Sequence, residues 1–366
     1  RTTLSFTWKD KRDDTPLHLV AAGSSPRHTE CAKALVRANL SREVILKLSQ
    51  RNKKGETPAE IAAQLGHAAS LAVLLKRPYC PPVTSCIALA AESGAIEALK
   101  LLISKGGSCG EEGGRRTPLA LAAAHGHLEC CQILVEGLLM SPSTSAFSLC
   151  VSEALCEAAR AGRPSVLALL LDAVTDHGGV SLCSEMLCSF GSTNDTPIII
   201  CARSPMARLE CVQKLLLVES GLTSEPQAPA PLPPPLRQPS KLPSSETINR
   251  AALRHHELRL RGHARDLLTE SRTEGGAMAL PLSLLQGKEG FPFANLLLRV
   301  GGVALLDHPN RKHKTPLMFL LSKLSSTKSE EQRKKIYEGL AWLLTWPETT
   351  TTELFFTRLE RELFGK

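Results

Sequence analysis

The chain has 366 residues and a formal charge of +8, from 44 Lys and Arg against 36 Asp and Glu. Its apolar content of 43 % and charged content of 22 % are typical of a folded protein and argue against a disordered one. Aromatic residues make up only 4 %, so the composition favours an all-helical fold over a β-sandwich or barrel. The mild basic excess does not indicate a dedicated nucleic-acid binder.

The apolar runs and the cysteines bear on where the protein works. The longest apolar run, Leu296 to Leu306, contains Arg299 and two glycines, so we expect no membrane span. Because the chain begins at Arg1 rather than Met, we expect a segment of a longer protein. All 12 cysteines precede residue 212 and no C-x-x-C occurs. A reduced, cytoplasmic protein follows, with the nucleus as the alternative compartment.

An internal repeat organises the chain. Thr-Pro followed by an apolar or small residue opens five apolar helical stretches, and Gly66 and Gly126 stand nine residues after two of these threonines. The same offset from Gly94 and Gly162 predicts two degenerate copies. Thr predicts a helix N-cap, Pro suits the first helical position, and Gly ends the helix in a left-handed conformation. The copies begin at Thr15, Thr57, Ser85, Thr117, Glu153 and Thr196, with Thr315 as a later one.

The best copy, residues 116–134, has T-P-L-A, then G-H, then an apolar second helix, and it resembles the ankyrin-repeat family. The starts are 28 to 43 residues apart, scattered around the ankyrin period with insertions. The resemblance is good over residues 10–220 and weak over 275–345. It implies an all-α ankyrin-repeat solenoid of helix-turn-helix units with a Pro-rich interruption. We expect an array of about six units at 1–218, a linker at 219–246 and a second helical block with a cap at 247–366.

Several residues have a structural interpretation in this pattern. Cys31, Cys130 and Cys211 share one register of the second helix and are predicted to be small core residues. The resemblance implies that His18, His125 and His127 form hydrogen bonds within and between units.

The Pro-rich segment and the helix after it offer weaker signals. Residues 219–245 contain eight prolines and no apolar periodicity, which predicts a disordered linker. A P-x-x-P motif at Pro231 to Pro234 leaves a polyproline-II ligand as an alternative. Residues 248–270 are helical in composition, and their three histidines fit a solvated face better than a metal site.

Motifs for catalysis and for cofactors are missing from the sequence. Gly287-Lys288 lacks the other residues of a phosphate-binding loop, and no cysteine has a base placed beside it by a motif. A cluster of Cys183 and Cys188 stays open. We therefore expect no enzyme activity, no cofactor, no metal and no catalytic residue.

The resemblance implies a partner site, because in ankyrin repeats the turn before Thr-Pro projects as a finger, and fingers and first helices line a concave groove. Four of the five fingers carry Lys or Arg, which favours a protein partner with an acidic surface. The candidate residues are Lys11, Arg12, Asn52, Lys53, Lys54, Glu56, Arg115, Arg116, Asn194, Asp195, Arg311, Lys312 and His313. The expected function is that of a scaffold or adaptor region.

Two alternatives differ in class. Residues 222–366 hold 21 Lys and Arg against 15 Asp and Glu, which leaves nucleic-acid or anionic-surface binding by this block open, although it lacks interleaved aromatic residues. The array could instead be a regulatory spacer for an enzyme domain elsewhere in the parent chain.

Overall fold

A computed structural model describes residues 8–37, 49–76, 83–110, 116–140, 144–188, 195–203, 209–216, 278–301, 304–310 and 312–345. The regular structure in these ranges is helical, and no helix among them is long and apolar enough to cross a membrane. The chain divides into two compact units, Arg1–His177 and Gly178–Lys366. The predicted helix at 248–270, the Pro-rich linker and the last turn after Pro347 lie outside the described residues.

The first unit is a series of helix pairs, each consisting of a first helix and the second helix that follows it. The first helices are α1 (Pro16–Ala22), α3 (Pro58–Gln64), α5 (Val83–Ser93), α7 (Pro118–His125) and α9 (Thr144–Ala161). The second helices are α2 (Pro26–Arg37), α4 (Ala68–Leu74), α6 (Ile96–Ser104), α8 (Leu128–Leu139) and α10 (Pro164–Cys188), which continues past the end of this unit.

The pairs stack in sequence order. Each first helix from α1 to α9 packs against the next first helix, and α2, α4, α6 and α8 form a second row in the same way. The core between the rows is built from leucine and alanine, with Leu71, Leu99, Leu119 and Leu134 fully buried. Each pair therefore buries its apolar face against its neighbours, as a repeat array requires.

The Thr-Pro motif forms the helix start that the sequence predicts. Thr57 Oγ1 accepts the N–H of Glu60 at 3.3 Å, and the Glu60 carboxylate accepts the N–H of Thr57 at 2.8 Å. Thr117 Oγ1 and Thr315 Oγ1 accept the N–H three residues on, at 3.2 and 3.4 Å. These bonds satisfy N–H groups that the first turn of a helix leaves unpaired, and Pro at the first position has no N–H to lose.

The glycines nine residues after these starts are left-handed, as predicted. Gly94 has φ +75°, and a β-carbon there would lie 2.7 Å from Nδ1 of His127 in the next unit. Gly126 has φ +81°, and a β-carbon there would lie 3.0 Å from Cδ of Arg163 in the following unit. Glycine is thus required both by backbone conformation and by the close approach of the next repeat.

The two degenerate copies differ from their predicted starts. α5 begins at Val83, two residues before Ser85. Glu153 does not start a helix at all, because α9 runs without a break from Thr144 to Ala161. Neither predicted start has the Thr-Pro pair, so no cap fixes where the helix begins, and both helices extend toward their N-termini.

The core assignment of the three register cysteines is correct for two of them. Cys130 and Cys211 are buried, whereas Cys31 is exposed. Its helix, α2, is the first second helix of the described stack and packs in its row against α4 alone. The neighbouring Ala32 fills the buried position instead, at 0 % exposure.

The second unit contains the helices that follow in the chain. These are α11 (Pro197–Ala202), α12 (Leu209–Leu215), α13 (Ala279–Leu284), a 3-10 helix (Gly287–Gly290), α14 (Phe291–Gly301), α15 (Ala304–Asp307), α16 (Pro316–Ser326) and α17 (Glu330–Thr345). Helix α11 packs against α13, and α12 packs against α14, so pairs from both sides of residues 217–277 stack directly. The predicted domain boundaries at 218 and 246 stay predictions.

Candidate partner-binding surface

The first finger, Asp10–Asp14, is a tight turn held by its own backbone. The N–H of Asp10 donates to the carbonyl of Asp14 at 3.1 Å, and the N–H of Asp13 donates to the carbonyl of Asp10 at 3.0 Å. The Asp10 carboxylate accepts the N–H groups of Arg12 and Asp14, both at 2.8 Å. Such a bond from an Asx side chain to the backbone two residues on is the reason that Asp and Asn favour turns.

Two further fingers repeat this geometry. Asn52 Oδ1 accepts the N–H groups of Lys54 and Glu56, both at 3.0 Å. Asn310 Oδ1 accepts those of Lys312 and Lys314 at 2.9 and 3.0 Å. The fourth residue of each finger is left-handed, with φ +60° at Asp13, +79° at Gly55 and +56° at His313. An Asp or Asn five residues before Thr-Pro thus encodes the turn.

The first two fingers lie side by side and are bonded to each other. The Lys53 N–H donates to the carbonyl of Arg12 at 2.9 Å, and Lys53 Nζ donates to the carbonyl of Lys11 at 2.7 Å. The Asn52 amide donates to the Asp14 carboxylate at 2.9 Å. These bonds fix the spacing between the two tips, so they present one surface rather than two independent loops.

His18 attaches the second finger to the first helix. Its Nδ1 accepts the N–H of Thr15 at 3.0 Å, so the ring proton is on Nε2, which donates to the Glu56 carbonyl at 3.1 Å. Burial lowers the pKa of His18, which keeps the ring neutral in this arrangement. His67 and His127 make similar bonds to the carbonyls of Ala21 and Glu92 in the preceding units, at 2.9 and 3.0 Å.

A cleft of about 230 Å³ lies between these two fingers and the first helices α1 and α3. Leu19, Ile61 and Leu65 supply its apolar lining, and Leu19 and Leu65 keep 49 % and 51 % of their surface exposed. Its polar lining comes from the fingers and from His18 and Gln64, and the finger residues are Arg12, Asp14, Asn52, Lys54 and Glu56.

The apolar lining continues along the stack of first helices. The residues five positions before Gly66, Gly94 and Gly126 are Ile61, Leu89 and Leu121, and Leu19 holds the equivalent place four residues after Thr15. Leu19 is exposed and the other three are half-buried. Because these helices pack in order, the four side chains form a row, named here the inner row.

The inner row ends at the fifth unit in a charged cluster. Glu157 holds the equivalent position, is 2 % exposed, and pairs with Arg116 at 3.4 Å and with Arg160 on its own helix. Glu153, one turn earlier, accepts the N–H of Thr117 at 3.3 Å. The fifth unit thus lacks a Thr-Pro cap, and the two carboxylates of its helix α9 instead bind Arg116 and the Thr117 N–H of the fourth unit.

The family comparison agrees with this geometry. Residues 12–43 match the model of the ankyrin repeat, and residues 87–177 match a model of ankyrin repeats in three copies. These two segments of the chain therefore contain ankyrin repeats. The three-copy segment contains the left-handed Gly94, Gly126 and Gly162, and therefore includes both degenerate copies.

Solved structures of other ankyrin repeat domains are similar to this ankyrin array. The ankyrin repeat domain of Bcl-3, a member of the IκB protein family, is 20 % identical, covers 53 % of this chain and 81 % of its own, and has a TM-score of 0.39. The human ASB11 ankyrin repeat domain is 15 % identical, with 89 % and 97 % coverage and a TM-score of 0.37. No curated protein matches the chain.

The predicted site residues differ in their surroundings. Lys11, Arg12, Lys53, Lys54, Lys312 and His313 are exposed at finger tips, and Asn52 and Glu56 are half-buried at the base of theirs. Arg116 is exposed but is ion-paired with Glu157. Arg115, Asn194 and Arg311 lie outside the described residues.

Asp195 is not part of an exposed tip. Its side chain is 7 % exposed and pairs with Arg203 at 3.0 Å. Asp195 therefore stabilises its own unit rather than offering charge to a partner.

The buried thiols are poor nucleophiles. Burial raises the pKa of Cys109 and Cys130, and it raises that of Cys131 to about 12. A thiol reacts as the thiolate, so these cysteines are unreactive at neutral pH. Among the described residues no group of three or more His, Cys, Asp or Glu is placed to hold a metal ion.

The sequence analysis expected first helices to line the groove but named only finger residues, so it did not identify the side chains of the inner row. Their signal was present, because Leu19, Ile61, Leu89 and Leu121 recur at one offset in the repeat. An apolar residue with helical spacing is assigned to the core by default. Only the packing of the helices shows that the residues of the inner row stay partly exposed.

Proposed function

We propose that this ankyrin array binds a protein partner through the inner row and the first two fingers, and serves as a scaffold or adaptor region of a larger protein. Ankyrin repeats are generally protein-interaction modules. The observation that carries the proposal is the row of four apolar residues left partly exposed beside two bonded fingers. A partner that covers Leu19 and Leu65 gains roughly 1 kcal/mol from each, since about half of each side chain is still open to burial.

The fingers support an acidic partner surface. The Asp10 carboxylate is bound to two N–H groups of its own finger, and the Asp14 carboxylate is bound to the Asn52 amide. Lys54 and Arg12 are exposed, and within the described ranges neither side chain has an ion pair. The lysines and arginine of the two fingers are exposed, whereas their four carboxylates, including Asp13 and Glu56, are half-buried. A partner approaching the tips therefore meets cations before it meets carboxylates, which steers acidic surfaces toward the cleft.

Binding rather than catalysis is the proposed activity. The high pKa values of Cys130 and Cys131 oppose a thiolate mechanism, and the histidines that bridge units are committed to backbone carbonyls. A cytoplasmic or nuclear location stays a prediction from composition.

Two substitutions on the inner row and one elsewhere test the proposal. Leu19→Asp and Leu121→Asp alter the inner row, and Leu139→Asp, on the second helix α8 and 42 % exposed, is the matched control. The full chain and each variant are used as cross-linked baits, after circular dichroism shows that helix content is kept. We expect the wild type and Leu139→Asp to retain protein partners that both inner-row variants lose.

Other results would contradict the proposal. Partners that both inner-row variants retain, or that only Leu139→Asp loses, would place binding on another face. Recovery of nucleic acid alone, removed by moderate salt, would favour the basic second block instead. On that block Lys335 is 3.9 Å from Glu331 of the same helix, so part of its charge is compensated locally.

A further inference from the structure

The cleft between the first two fingers has the features of an anchor pocket with a definite occupant. We propose that it takes one large aliphatic or aromatic side chain from a linear segment of a partner protein, in which an Asp or Glu stands next to that anchor. The inference rests on the proposed function, and it specifies which part of the inner row holds the partner most tightly.

The size of the cleft suits a side chain. Pockets for whole small molecules measure roughly 300–1,000 Å³. The cleft holds about 230 Å³, and its apolar lining comes from Leu19, Ile61 and Leu65, with Ala22 beside them. These side chains come from two successive repeats, whose spacing is fixed by the bonds from Lys53 to the first finger. The pocket is therefore largely formed before the partner arrives, which lowers the entropic cost of binding.

The charges of the rim select a carboxylate beside the anchor. Arg12 and Lys54 line the cleft and are exposed, whereas Asp14 and Glu56 are half-buried and lie next to the Asn52 amide, at 2.9 and 3.4 Å. An incoming carboxylate can pair with either cation without displacing these contacts. The pair is exposed to water, so its main effect is on partner choice rather than on total affinity.

The same rim disfavours phosphate groups. Two cations and two carboxylates share the cleft, so its lining carries no net charge and offers a phosphate-rich ligand no overall attraction. A nucleic-acid backbone bound here would either leave Leu19 and Leu65 exposed to water or place phosphate oxygens against them, and both outcomes are unfavourable. An acidic peptide satisfies both the apolar lining and the rim.

Peptide selection tests the occupant directly. A displayed library of random linear peptides is selected against the full chain, and enriched peptides are made with a fluorophore for anisotropy titrations. We expect enriched sequences with a large apolar residue flanked by Asp or Glu. Leu65→Asp should weaken their binding about fivefold or more, since about 1 kcal/mol of apolar burial is lost. The control Leu139→Asp should bind as the wild type does.

Charge reversal tests the rim separately from the apolar lining. The double variant R12E/K54E should weaken acidic peptides several-fold and prefer peptides in which Lys replaces Asp or Glu. Enrichment of no peptide, enrichment without acidic flanks, or equal affinity for Leu65→Asp and Leu139→Asp would each overturn the proposal. A natural partner lost by Leu121→Asp but kept by Leu65→Asp would overturn the pocket and leave the inner-row function standing.

Discussion

Replacing His18 should weaken both the first helix α1 and the coupling between the first and second repeats. His18 occupies the third position of α1, the place that Glu60 holds in α3, and its Nδ1 accepts the Thr15 N–H as the Glu60 carboxylate accepts that of Thr57. In addition, its Nε2 reaches the Glu56 carbonyl of the second finger. His18→Ala therefore removes both a helix cap and a bond between units.

The expected loss follows from these two bonds. Thr15 is 1 % exposed, so its orphaned N–H costs about 1–3 kcal/mol of folding free energy. The bond to the half-buried Glu56 carbonyl contributes about 0.5–1.5 kcal/mol more. We expect the first repeat to lose about 1.5–4.5 kcal/mol of protection against local opening, which corresponds to amide exchange at least roughly tenfold faster.

Hydrogen exchange at the α1 amides measures this change. The Leu19 N–H is the best reporter, since it donates to the Thr15 carbonyl at 3.2 Å. His125→Ala is the control: its ring is exposed and bonds only a carbonyl of its own helix, Leu121, at 3.0 Å, so we expect a change within about 0.5 kcal/mol. His18→Glu should restore part of the protection, because a carboxylate can again accept the Thr15 N–H.

The opposite ordering would refute the reasoning. If His18→Ala exchanges no faster than His125→Ala, the bond to the Glu56 carbonyl does not couple the units. If His18→Glu is as unstable as His18→Ala, the cap at Thr15 is not what the histidine supplies.

Four further outcomes are expected. Because burial lowers the pKa of His18, the unfolded chain binds more protons below pH 6.5, so protection of the first repeat should fall from that pH downward, and His18→Ala should flatten this dependence. Glu157→Gln should cost about 1–2 kcal/mol in denaturant titration, less than for a fully buried ion pair, because its arginine partners are 52 % and 29 % exposed. Native wild type should have one more fast-reacting thiol than Cys31→Ser, whereas Cys131, with a pKa of about 12, should react only after unfolding. Replacing residues 217–277 by a Gly-Ser linker should shift Tm by less than about 4 °C, since the helix pairs on both sides of this segment pack directly against each other.

The local signals in the sequence determined the repeat and its helix boundaries. Thr57 and Thr117 cap their helices, and Gly94 and Gly126 end theirs, because a cap and a left-handed glycine act within one turn of backbone. The family could be recognised for the same reason, since these residues recur at fixed offsets. Where the Thr-Pro signal is missing, at Glu153, the predicted start is wrong.

The tertiary structure alone decided which side chains are available to a partner. Asp195 was expected at an exposed finger tip but is buried and paired with Arg203, whereas Cys31 was expected in the core but is exposed on α2. The inner row likewise depends on which face of each helix its neighbours cover. A repeat sequence specifies each unit through contacts a few residues apart, whereas exposure depends on neighbouring units that start 28 to 43 residues away, and no local pattern encodes that packing.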